Sequence, residues 1–119
     1  MKKIIDLTEV PGIKKEEDHD GNGSIIFRRL FIQQDFRSQV DFVDFTIIPP
    51  GSSIGYHEHC DNEEMYLIVS GSPLMTVDGE QRRLSKGSVA VVRSGQRHGL
   101  VNDTKDDIEI FVVQVSFNN

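Results

Sequence analysis

A chain of 119 residues is the size of one domain, and 37% hydrophobic residues are enough to fill one core. Its 13 Lys and Arg against 19 Asp and Glu give a formal net charge of −6. Basic pairs such as Lys14-Lys15 and Arg82-Arg83 are too small to grip a phosphate backbone, which argues against a nucleic-acid partner. Cys60 is the single cysteine, so no internal disulfide forms; MKKII is cut short by Asp6, and no run is long enough to cross a bilayer. The expectation is a cytoplasmic protein without a membrane partner.

Residues 1–23 alternate weakly and become charged and glycine-rich at KKEEDHDGNG, which predicts an N-terminal arm and loop. His19, inside that loop, reads as an exposed connection residue. From Ser24 the chain changes character. SIIFRRLFI and DFVDFTIIP are rich in β-branched and aromatic residues and predict strands, with the polar QQDFRSQ as their connection. Arg28 and Arg29 are consecutive within the first of these, so alternation sends one to each face. One of the two would then face an interior or a pocket mouth, where it could clamp a carboxylate or phosphate; a strand near an edge, with both guanidiniums in water, fits the same pattern.

The stretch GSSIGYHEHCDNEEMYLIVSG, Gly51 to Gly71, carries the densest chemistry. In an extended chain His57 and His59 point the same way and Glu58 the other. CDNE reads as a turn, and MYLIVS as a buried return strand that can bring Glu64 to the same point. Imidazole and carboxylate together suit a first-row divalent metal, although a His-x-His pair also occurs as solvated decoration. A further donor, His98, lies downstream in GSVAVVRSGQRHGLVN, just after a Ser-Gly turn signal. PLMTVDGEQRRL predicts a hairpin turning at Asp78-Gly79, and SVAVV, GLVN and DIEIFVVQVSF complete a set of about nine strands. No segment has a helical apolar stripe, so the pattern predicts an all-β antiparallel sandwich or jelly-roll barrel.

At these residues the chain resembles the cupins, a family with two short motifs flanking a variable hairpin. Gly51, His57, His59, Glu64 and Gly71 fit the first motif; Gly87, Gly95, His98 and Asn102 fit the second, with Arg93 where the family has proline. The missing proline removes a preset φ at the turn before His98. The resemblance organises the chain from about residue 24 onward, which divides it into an arm, 1–23, and a barrel domain, 24–119. It implies a jelly-roll β-barrel and, residue by residue, the ligand set His57, His59, Glu64 and His98 around a divalent transition metal. Fe, Mn, Ni, Co, Cu and Zn all suit those donors. Open coordination positions would serve catalysis at a small molecule.

Period two adds Tyr66 and Ile68 to the face of Glu64, and Leu100 and Asn102 to that of His98; these would line or floor the pocket. The Tyr66 phenol is the catalytic candidate, as a hydrogen-bond donor or acid, and would otherwise fill the core with its hydroxyl satisfied. Asn102 reads as a turn tie and Cys60 as a loop thiol. Two function classes follow: a small-molecule metalloenzyme of oxygenase or isomerase type, or a metal-dependent binding or sensing protein for an anionic or sugar-like ligand. The final run alternates Ile108, Ile110, Val112 with Phe111, Val113, Val115, apolar on both faces, which predicts a covered outer face and hence a homodimer; the alternative cover is the chain's own arm.

Overall fold

The structure, a computed structural model, describes residues 1–117. Its strands are β1 (Ile13–Glu16), β2 (Ser24–Ile32), β3 (Val40–Ile48), β4 (Ser53–Glu58), β5 (Asn62–Ser70), β6 (Leu74–Val77), β7 (Glu80–Arg83), β8 (Val89–Val92), β9 (Arg97–Val101) and β10 (Ile108–Ser116). They form two sheets, ordered β1-β2-β3-β10-β5-β8 and β4-β9-β6-β7, with every pairing antiparallel. The all-β jelly-roll expectation is met.

One strand was not anticipated. Residues 13–16, assigned to the arm, pair with β2 from Ile13 opposite Phe27 to Glu16 opposite Ser24. All four residues of β1 are exposed, so this edge strand has no apolar alternation from which to read it. The preceding residues are tied to the same side: Arg28 Nε donates to Val10 O (2.9 Å), and Lys2 Nζ to Leu30 O (3.0 Å).

Alternation builds the core. Along β5, Glu64, Tyr66 and Ile68 are buried while Met65 and Leu67 remain 46% and 40% exposed; along β10, Ile108, Ile110 and Val112 turn inward. Tyr66, Ile68, Ile108, Ile110 and Val112 form one apolar cluster between the sheets with Ile48, Val92 and Leu100. Each such side chain contributes on the order of 1.5–3 kcal/mol through burial. Ile68 and Leu100, expected at the pocket floor, belong to this cluster and do not line the cavity.

Two turns set the site's geometry. In the turn Arg93–Gln96, Gln96 N donates to Arg93 O (3.0 Å), and Gly95 has φ +87°, a conformation that costs glycine nothing. Arg93 stands in the proline position of the motif, and its own N–H donates to Gln96 Oε1 (2.8 Å), so a side chain closes the turn that a ring would have stiffened. Gly55, in β4, is required by close approach: a Cβ there would lie 1.8 Å from the carbonyl oxygen of His19. Gly55→Ala must therefore push backbone apart. A loss of about 1–3 kcal/mol is expected in urea unfolding, and a variant as stable as the parent would show that the contact between β4 and the 18–20 turn is dispensable.

Candidate metal centre

β4 and β9 pair with His57 opposite His98, across a bulge between Ile54 and His57. Beyond the end of β4, His59 N donates to Gln96 O (3.0 Å) and its carbonyl accepts from Gly95 N (2.6 Å), which carries the extended chain to the turn before β9. His57, His59 and His98 thus offer three ring nitrogens, all within 4.8 Å of one another. Glu64 comes from the opposite sheet, its Oε1 3.1 Å from His59 Nε2 and 3.6 Å from His98 Nε2. His59 Nε2 and His98 Nε2 are 2.8 Å apart.

The tautomers follow from the outer partners. His57 Nδ1 lies 2.7 Å from Gly55 O, which can only accept, so this nitrogen carries the proton and Nε2 keeps its lone pair. His59 Nδ1 likewise faces Asn62 Oδ1 at 2.5 Å, and the Asn62 amide nitrogen donates to Cys60 O. Such bonds fix ring orientation in metal sites. With its Nδ1 protonated, His59 turns a lone pair toward His98, and two facing lone pairs repel unless a proton or cation lies between them. Two donors at right angles about 2.1 Å from a shared ion stand about 3 Å apart; the distances of 2.8 and 3.1 Å about His59 Nε2 fit such an ion. His98 differs in that its Nδ1 is buried without a partner among the described residues.

Electrostatics separates the three imidazoles. Burial, reinforced by the neighbouring rings, pushes His98 down to about 3, and burial also lowers His57. The hydrogen bond with Glu64 raises His59 above its ordinary value. Tyr66 is 3% exposed and its hydroxyl donates to Glu64 Oε1 (3.0 Å); burial, then the Glu64 charge, pushes the phenol well above its usual range, so it stays protonated.

The centre opens into a cavity of about 380 Å³, lined also by Phe27, Phe42, Arg29 and Asp44. Of the two arginines, Arg29 reaches this cavity: Asp44 accepts from its Nε (3.0 Å) and Nη2 (2.9 Å), and its guanidinium lies over the Phe42 ring at 4.3 Å. Arg28 turns away to Val10. Cys60 is exposed, and its thiol donates to Glu58 Oε2 (3.2 Å). His19 is exposed in its loop, as expected, and has a further contact. Its ring stacks on His57 at 3.5 Å with an interplanar angle of 7°, and it lines the cavity. A loop backbone carries no periodicity to reveal such a placement; Asn62, the first residue of β5, escaped because CDNE reads as a turn rather than as the start of a strand.

A family model described as the cupin domain matches residues 44–114, the span that contains every one of these donors. The chain belongs to the cupin family. Among curated cupin relatives, an oxalate-binding protein of Thermotoga maritima is 27% identical over 92% of this chain and 91% of its own length. An uncharacterised protein of Methanocaldococcus jannaschii is 32% identical over 84% of this chain and 77% of its own. A crystal structure from Thermotoga maritima, described as a predicted oxalate decarboxylase, superposes with a TM-score of 0.94 at 23% identity, covering 97% of this chain and 100% of that one. This last likeness establishes the fold.

The raised His59 makes a prediction for this cupin centre. Any metal taken up here would have to displace the proton that Glu64 helps His59 to keep, so its apparent affinity is expected to fall by about tenfold per pH unit as pH drops through the raised His59 value. His57 and His98 stay neutral there and add steepness only in stronger acid. Competition titrations with a chromophoric chelator from pH 8 to 5 measure the slope; a flat profile would remove His59 from the ligand set.

Proposed function

We propose that the chain binds a divalent transition metal through His57, His59, Glu64 and His98 and uses it in small-molecule chemistry of the oxygenase, decarboxylase or isomerase kind, on a small carboxylate. The observation that carries this reading is the approach of His59 Nε2, His98 Nε2 and Glu64 Oε1 to 2.8–3.6 Å of one another, with a ring nitrogen of His57 within 4.8 Å of the other two imidazoles, at the base of a cavity. When bound, the ion would supply Lewis acidity and open positions for a ligand. The names of the Thermotoga maritima relatives, oxalate-binding protein and predicted oxalate decarboxylase, favour a dicarboxylate.

The chain's own residues then have distinct tasks. Tyr66 donates its single O–H to Glu64 and so orients the carboxylate; as the catalytic candidate it would redirect that hydrogen bond to a bound ligand. Arg29 is the proposed carboxylate clamp. Asp44 occupies its Nε and Nη2, which leaves the opposite edge of the fork for the ligand. Phe27 and Phe42 keep that part of the cavity apolar.

The test is metal analysis of protein purified without chelator, followed by calorimetric titration with oxalate before and after stripping. One equivalent of metal and metal-dependent oxalate binding, weakened at least tenfold in Arg29→Gln, are expected; oxalate binding that survives stripping would refute the reading. Turnover is sought separately by oxygen consumption and carbon dioxide release.

A second copy of the chain is the proposed cover for the outer face of β5 and β8, where Met65, Leu67, Val89 and Val91 are 46%, 40%, 61% and 38% exposed. The N-terminal residues bond to β2, at the far side of the same sheet, and leave this patch open. Light scattering behind size exclusion at micromolar concentration decides it, and a monomer mass would sink the homodimer.

A further inference from the structure

We propose that His19 is a positioning residue for His57, holding that ring by face-to-face stacking so that its Nε2 stays aimed at the metal centre. The inference rests on the ligand set proposed above, and its evidence lies outside that set.

The His57 ring is constrained from two directions. Gly55 O accepts from its Nδ1 at 2.7 Å, which leaves rotation about the Cβ bond resisted by one hydrogen bond. The His19 ring, parallel within 7° at a centroid distance of 3.5 Å, blocks that rotation by covering one face. His59 and His98, by contrast, are tilted against His57 by 55° and 56° and provide no such plate. His57 is also the least enclosed of the three imidazoles, half-buried where the other two are buried, so it is the one that needs an external brace.

The segment that delivers His19 is built at some conformational cost. Glu17, His19 and Asp20 have φ of 48°, 49° and 61°, left-handed values that non-glycine residues seldom adopt, let alone three within four positions. Such strain persists only where surrounding contacts impose it, and it concentrates at functional sites. Here the imposing contacts are visible. Between His19 and its neighbours, Asp18 is 7% exposed and ion-paired to Lys15 at 2.8 Å, Glu17 N donates to Gly23 O, and the absent Cβ of Gly55 lets the His19 carbonyl lie against β4. A loop needing only to connect β1 to β2 would have no reason for this conformation.

The experiment compares His19→Ala, His19→Phe and His19→Gln. Co(II) is the probe, read by its dissociation constant and its visible d–d bands, together with the ¹⁵N–¹H correlation pattern of the His57 ring in the metal-free protein. His19→Ala is expected to weaken Co(II) about tenfold, the scale of losing an outer-sphere support, to shift the bands, and to replace the fixed Nδ1–H pattern of His57 with a tautomeric average. His19→Phe, which keeps a flat face and no polar atom, is expected to restore all three, and His19→Gln is not. Unchanged affinity, bands and tautomer in His19→Ala would overturn the proposal, as would rescue by Gln and not by Phe. Should His19→Ala fail to fold, the contrast between Phe and Gln decides alone. If the parent protein takes up no Co(II), the metal reading fails, while the His57 pattern in the metal-free variants still decides whether His19 positions that ring.

Discussion

Replacing His98 with alanine is expected to reduce bound divalent metal from about one equivalent per chain to background, with an affinity loss of about 100-fold or more. His98 is fully buried, its Nε2 faces His59 Nε2 at 2.8 Å, and Glu64 Oε1 lies 3.6 Å away. No other described imidazole can substitute, because His19, the fourth histidine, is stacked on His57 outside the cluster of converging nitrogens. The change removes a buried nitrogen that lacks a partner among the described residues but leaves a cavity in its place, so the metal content is read beside the melt that shows whether the variant is folded. Plasma emission analysis of metal content beside a thermal melt measures both quantities. Stoichiometric metal in a folded His98→Ala protein would contradict the centre described above.

The second large effect concerns stability. Asn102 is fully buried; its Nδ2 donates to Ile48 O and Asp106 O, both at 2.8 Å, and its Oδ1 accepts from Thr104 N (3.0 Å) and Oγ1 (2.7 Å). These bonds join the end of β3, the exit of β9 and the loop into β10. Truncation to alanine leaves a buried carbonyl at Ile48 unpaired and releases the loop, for an expected cost of about 3–5 kcal/mol. That is a large fraction of the roughly 5–15 kcal/mol that holds a typical domain folded. Urea denaturation of Asn102→Ala measures it, and a shift under about 1 kcal/mol would mean that water replaces the side chain at little cost.

How far the sequence could be read depends on what kind of contact each residue makes. Glu64, Tyr66 and Ile68 share a face because a strand alternates, and that periodicity is written in the chain; so is the return of His98 beside His57, through the spacing of the two motifs. β1 was lost because an edge strand exposed along its whole length leaves no apolar signature. Alternation narrowed the arginines to one of two, and the pairing of Arg29 with Asp44 across β2 and β3 completes the choice, a register that depends on the sheet as a whole. His19 sits in a loop, where direction is set by tertiary contact, whereas Asn62, the first residue of β5, shares the face of Glu64 and was hidden because CDNE reads as a turn. Ile68 and Leu100 lie on the expected faces but deeper than the pocket they were expected to line or floor, since period two gives a side and not a depth.

The thiol at the rim has its own consequence. Cys60 follows a metal-ligand candidate directly and is exposed, a setting in which a thiolate would be open to oxidants. Its hydrogen bond to the Glu58 carboxylate, and then the charge of that group, raise the thiol above its ordinary value, so at neutral pH the sulfur remains protonated and a poor nucleophile. The acidic neighbour thus lowers the thiolate fraction, and alkylation of Cys60 is expected to be slower than in Glu58→Gln, as thiol-reactive dye kinetics would measure.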